Sequence, residues 1–293
     1  MGTSSAYGGA GGGTPLVPSW LDGVAASAGG DAPTVAPGAD GSTATPPTVP
    51  AAPPPRTVNP MPGASDRFTA PRSNFSRFAS SGGSDRRSLG RAVSGYVSKS
   101  AGGSARAAQR MGSSRGAGAG LVRFLNDASA NGVREALRTL NLEGLAGRPI
   151  EEVFAGLADY ICPEGGTIDE GIARDAFIET IADLAAAGIT DVDGLTPAQI
   201  QTVFELYATH AIEARICNDI GTKAVTLPAD PRAAERVEAQ LREFIQRGVS
   251  DAVNAAGVNI QSLTPDAVTG FVNDVYQSAF EILQTMGDGE AAA

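Results

Sequence analysis

The chain has 293 residues, a formal net charge of −10, two cysteines and one histidine. This balance argues against a primary nucleic-acid binder, whose phosphate contacts need a locally dominant positive face, and a single histidine leaves little for general acid–base catalysis. Cys162 and Cys217 sit in a chain without a secretory leader, so no disulfide framework is indicated; with no apolar run of about 18 residues to span a membrane, a cytoplasmic protein is expected.

Residues 1–120 hold 22 Gly and 13 Pro, against 15 and 6 in residues 121–293. Ordering backbone costs about 1–2 kcal/mol per residue, and a Gly, Ser, Pro and Ala sequence has little apolar side chain to offset it. Residues 1–82 therefore read as a long disordered, protease-sensitive Gly/Pro/Ser-rich N-terminal tail. Within it, 34–56 (TVAPGADGSTATPPTVPAAPPPR) forms an extended, polyproline-like spacer. The leader MGTSSAYGGAGGGTPLVPSWLDG matches part of a phosphate-binding loop at Gly8, Gly13 and Thr14 but lacks the lysine, and Ala6 stands where myristoylation needs Ser or Thr. What remains is its one dense apolar cluster, Leu16, Val17, Trp20 and Leu21. Such residues in a segment that cannot fold alone mark a partner-binding stretch with Trp20 as anchor, unless the cluster folds back on the chain's own body.

Charge changes sign along the chain. Residues 1–55 carry three acids and no base, 56–120 carry eleven bases against Asp66 and Asp85, and 121–293 carry 11 bases and 27 acids. Arg86, Arg87, Arg91, Arg106 and Arg110 of the basic neck are expected to pack beside the acidic body or to stay solvated, although such a neck could touch phosphate.

From about residue 84 the periodicity is helical. Leu89, Val93, Tyr96 and Val97 form a short basic amphipathic helix that Gly102 and Gly103 interrupt, and a glycine-weakened helix runs from about Ser104 through Leu125. Helices follow at 148–162, with Pro149 at its start, and at 169–188, closing on Gly188. Two more open with the phrase LTP, at 195–197 and 263–265, where Thr caps and Pro takes the first turn. The segment 231–256 shows Val237, Leu241, Phe244, Ile245, Val249 and Val253 on one face. With no sustained strand alternation, the expectation is an all-α chain: a compact helical domain of about six to eight helices over 83–288, large enough for a proper core.

Few residues carry chemistry. His210, Glu213 and Cys217 fall on one side of a helix, and Cys162 would have to join them to complete a metal site, so a hydrogen-bonded structural histidine is the expected role and no metal or cofactor is expected. Glu164, Asp169, Glu170 and Asp175 surround a turn after Cys162. They could hold a cation or form a partner-binding loop, but the favoured reading has Asp169 and Glu170 complementing the positive end of the helix they open.

The leader, together with ADYICPEGGTIDEGIARDAFIETIADL and VFELYATHAIEARICNDIG, resembles the QatB family of the bacterial Qat anti-phage defence system. The resemblance implies a cytoplasmic defence protein acting beside an ATPase (QatA), a QueC-like enzyme (QatC) and a TatD-like nuclease (QatD), and it supplies no catalytic residues. A non-enzymatic adaptor is expected, with its helical body on defence partners and its tail presented to one of them. QueC-like enzymes, as the resemblance implies, use ATP to activate a deazapurine carboxylate for attack by nitrogen. Gly2, exposed by removal of Met1, would carry the only amine in the first 98 residues, since the lysines are Lys99 and Lys223. An α-amine with a pKa near 8, against about 10.4 for lysine, keeps a usable neutral fraction near neutrality. Gly2 is thus a candidate acceptor for conjugation, against a tail that only docks. Other readings are a nucleic-acid-binding effector using 56–115 and a helical enzyme working through His210.

Overall fold

The structure, a computed structural model, describes residues 66–162, 167–221 and 227–293. Gly2, Leu16, Val17, Trp20, Leu21, the spacer and the turn residues Glu164, Gly165 and Gly166 lie outside these residues, as does the disorder expected of residues 1–65, whereas residues 66–82, also expected to be disordered, include a helix.

Among the described residues all regular structure is helical. The ten α-helices are α1 (Thr69–Ser80), α2 (Arg86–Gly95), α3 (Ser104–Gln109), α4 (Gly112–Asn131), α5 (Val133–Thr139), α6 (Ile150–Ile161), α7 (Ile168–Ala186), α8 (Pro197–Ile220), α9 (Pro231–Ala256) and α10 (Pro265–Ala292). A π-helical turn, Tyr96–Ala101, continues α2 until left-handed Gly102 stops it. The count exceeds the six to eight expected over 83–288 because α1 lies before that range, the single helix expected from about Ser104 divides into α3 and α4, and α5 is too short to show a period of its own.

The helical body also begins before the expected boundary at 82–83. In α1, Phe75 and Phe78 are buried with ring centroids 5.9 Å apart, while Pro71 occupies the first turn, where a missing N–H costs nothing. Arg and Ser around these rings hide the apolar stripe from a composition-based reading. At the other end α10 runs past 288, to Ala292.

The core is built around α8, which packs on α4, α7 and α9. Phe154 of α6, Phe177 of α7 and Tyr207 of α8 form a ring ladder, with centroids 6.0 and 5.3 Å apart. The face read from the sequence of α9, Val237, Leu241, Phe244, Ile245, Val249 and Val253, is buried, and α10 buries Val268, Phe271, Val272, Val275 and Leu283 while Ile282 is half-buried. Helix α10 lies against α2, α3, α4 and α9. Its approach to α2 is so close that a Cβ on Gly90 would stand 2.5 Å from the Gly287 carbonyl oxygen, and one on Gly287 would stand 2.6 Å from that of Gly90.

Candidate functional site

Helix α8 is buried on several sides, so its polar residues need partners from neighbouring helices. Its N-terminus is set by Thr196, whose hydroxyl accepts from Gln199 N–H while the Gln199 side chain returns to the Thr196 backbone, with Pro197 opening the first turn. Nearly three turns before its end, buried His210 meets Asp183 of α7, Nε2 to Oδ2 at 2.7 Å. Glu213 accepts from Nε of Arg242 on α9 at 2.8 Å. Burial pushes the Glu213 carboxyl above its usual range, an effect that Arg242 and His210 oppose.

A second polar knot fixes the other side of α8. Arg215 pairs with Asp169 of α7 and, at 3.5 Å, with Asp219 of its own helix. Asp219 also accepts from the Tyr96 hydroxyl at 2.9 Å and lies 3.4 Å from Arg110. Burial, reinforced by Asp219, drives the Tyr96 phenol well above its ordinary pKa, so it serves as a donor. Asp169 thus has an ion-pair partner 46 residues away as well as a place in the first turn of α7. Glu170 completes a capping box with Thr167, each side chain meeting the other's backbone N–H.

His210, Glu213 and Cys217 share a cavity of about 300 Å³ with Asp175, Glu179 and Arg242. Cys162 sits elsewhere, at the C-terminal end of α6, where its carbonyl accepts from Arg174. Among the described residues no group of three or more His, Cys, Asp or Glu is placed to hold a metal ion. Burial raises the thiol of Cys162 to about 11 and that of Cys217 to about 12, with Glu213 and Glu238 adding to the latter. Both are therefore thiols rather than nucleophilic thiolates at neutral pH. His210 thus has a carboxylate, Asp183, that orients its ring.

The basic neck divides. Arg72 donates to the Ile220 carbonyl, Arg86 pairs with Glu290 at 3.1 Å, Arg110 reaches Asp219 and Arg115 donates to Asn273. Arg77, Arg87, Arg91, Lys99 and Arg106 are exposed.

A cavity of about 550 Å³ was not foreseen. It is a groove between α4, α5, the end of α6 and the α9–α10 connection, with Phe124, Leu140, Ile161, Leu263 and Val268 among its walls and Tyr160, 52% exposed, at its edge. Tyr160 was its one local signal, a large aromatic out of phase with the buried face of α6. The Oδ1 atom of Asn126, which lines the groove, is buried and has no hydrogen-bond partner.

The family model for the Qat anti-phage system associated protein QatB matches residues 102–283, more than half of the chain. The chain belongs to the QatB family. No curated protein and no solved structure matches it. The QatB match takes in both polar knots' residues on α7 to α9 and every wall of the groove, but not α1, α2 or the leader. Membership makes the chain a component of an anti-phage defence system, and among the described residues no helix is long and apolar enough to cross a membrane.

Proposed function

We propose that the chain is a non-enzymatic, cytoplasmic member of a Qat complex whose helical body binds defence partners and whose N-terminal tail is presented to the QueC-like protein QatC, with Gly2 as acceptor of a deazapurine conjugation. The observation that carries the adaptor reading is family membership joined to a body whose one histidine is tied to Asp183 and whose two thiols are held protonated. The acceptor reading rests on the sequence, where the Gly2 α-amine is the only primary amine before Lys99. In the reaction the neutral amine attacks an ATP-activated carboxylate. A C–N amide bond forms, the bond to the phosphate leaving group breaks, and the amine proton passes to solvent. Leu16, Val17, Trp20 and Leu21 hold the tail at the mouth of the enzyme, while the ATPase QatA and the nuclease QatD are partners for the body. Intact-mass measurement of the chain co-expressed with QatC tests this: added mass on Gly2 is expected, and a chain lacking only Met1 under defence conditions would leave a docking tail alone.

A second reading is a nucleic-acid-binding effector. The exposed Arg77, Arg87, Arg91, Lys99 and Arg106 of segment 56–115 favour it, while the four neck arginines engaged by the body and the chain's overall charge weigh against it. Salt-dependent DNA or RNA binding that disappears when those five residues are neutralised would establish it; absence of binding at physiological salt would remove it.

A further inference from the structure

We infer that the cavity between α7, α8 and α9 is a binding site for a primary ammonium group on a short aliphatic chain, accepted by His210, Glu213 and the carboxylates of Asp175 and Glu179. This goes beyond the reading above and does not depend on Gly2 or on the tail.

The argument starts from the second nitrogen of the one histidine. His210 Nε2 meets Asp183, and an ionised carboxylate only accepts, so in the neutral ring the proton sits on Nε2 and Nδ1 keeps a lone pair. The ring makes no other hydrogen bond among the described residues, although the side chain is only 2% exposed. Nδ1 is not one of the side-chain atoms sealed without a partner, so it keeps access to open space, and the space that His210 lines is this cavity of about 300 Å³. A deeply placed acceptor without a donor therefore faces the cavity.

The other walls select a cation. One turn further along α8, Glu213 gives Oε2 to Arg242 and has Oε1 to spare. Asp175 and Glu179, four positions apart on one face of α7, are exposed at the same cavity. Three carboxylates thus line it against the single guanidinium of Arg242, which already lies in the field of Glu213, Asp183 and Glu179. Glu238 adds negative charge beside Glu213. Because no group of three or more His, Cys, Asp or Glu among the described residues is placed to hold a metal ion, the cation that suits is one bound through hydrogen bonds. An alkylammonium has three N–H donors and no acceptor, which matches His210 Nδ1, Glu213 Oε1 and a carboxylate of α7. Ile178, 51% exposed at the cavity, offers apolar surface to the carbon chain.

The single histidine makes the full-length chain its own reporter. At a pH of about 8.5 an ordinary imidazole, with a pKa of about 6.5, is neutral, while an alkylammonium, at about 10.4, is charged. Titrating protein isotope-labelled at histidine with n-butylammonium chloride should move the Nδ1 magnetic resonance saturably towards a hydrogen-bonded value, with a Kd of about 1 mM. Sodium chloride at equal ionic strength should not reproduce the shift. The n-butyltrimethylammonium ion, with the same charge and no N–H, should bind at least about tenfold more weakly. The exposed pair Asp175→Asn with Glu179→Gln should weaken n-butylammonium binding about fivefold, and Glu213→Gln at least as much. Circular dichroism confirms that the variants keep their helices; should Glu213→Gln lose them, the α7 pair alone decides. The amide of Nα-acetyl-lysine separates two sources of the same group: binding as tight as that of n-butylammonium assigns the cavity to a protein lysine, and binding of n-butylammonium alone assigns it to a free amine. Three outcomes would overturn the inference: no saturable shift at about twentyfold the expected Kd, a quaternary ion that binds as tightly, or a folded Asp175→Asn, Glu179→Gln chain that binds like the wild type.

Discussion

Gly90 and Gly287 show how single residues set the packing distance. Each leaves room for the other's carbonyl oxygen, at 2.5 and 2.6 Å from a would-be Cβ, and backbone cannot move aside as a flexible side chain can. Gly90→Ala or Gly287→Ala is therefore expected to destabilise the body by about 2–3 kcal/mol, read as a lower urea midpoint, since overpacking a close contact costs about this much. Glu213 gives a pH signature. Its folded pKa lies above the ordinary 4.5, so the folded state binds the proton more tightly than the unfolded state, and this group's contribution to stability is lost as pH rises from about 4.5 through the raised value. Glu213→Gln should abolish that decline and leave stability at neutral pH within about 1 kcal/mol, because Arg242, 38% exposed at its side chain, can be hydrated instead. Unfolding curves at several pH values above 4.5 check both statements. Neither Cys162 nor Cys217 should be alkylated appreciably in the folded chain at mildly alkaline pH, while both should react at once in denaturant; mass spectrometry after a short iodoacetamide pulse reads the difference.

The helices whose ends are written in local chemistry were legible in the sequence. Thr196 and Thr264 both cap as the LTP phrase implies, accepting from Gln199 and Ala267 N–H, with Pro197 and Pro265 in the first turn. Replacing either threonine by alanine should cost about 1 kcal/mol in thermal or urea unfolding. Elements and pairs fixed by distant partners were not legible. The aromatic stripe of α1 lies in a serine- and arginine-rich stretch and acquires meaning only when α2 and α9 cover it. Asp169 was read as a charge on a helix end because its partner Arg215 belongs to another helix. Apart from Tyr160 the groove left no local signal, for the same reason: α4, α5, α6 and α10 each contribute a few residues to it, and no one segment carries its pattern. His210 is the counterexample in one respect: a hydrogen-bonded histidine was expected, and its Nε2 meets Asp183 Oδ2 at 2.7 Å.

At the scale of the whole molecule, the described helical body begins at Asp66, and α1 is part of it. Limited proteolysis of the full chain is expected to leave a resistant fragment starting close to residue 66, identified by its mass; a fragment starting near 83 would show that Phe75 and Phe78 are dispensable to the core. Long-range ties fasten the basic neck to this body: Arg86 to Glu290, Arg72 to the Ile220 carbonyl, and Tyr96 to Asp219 each reach a residue more than 120 positions later.

The glycine contact between α2 and α10 also has a history in time. Gly90 and Gly287 are separated by 197 positions, so a ribosome adding about 5–20 residues per second completes α2 roughly 10–40 s before its covering surface exists. During that interval Leu89 and Val93, fully covered in the finished body, have no neighbour from α10 to shield them. Nascent chains are therefore expected to expose this face of α2 until α10 is made, and a chain truncated within α10 is expected to keep it exposed.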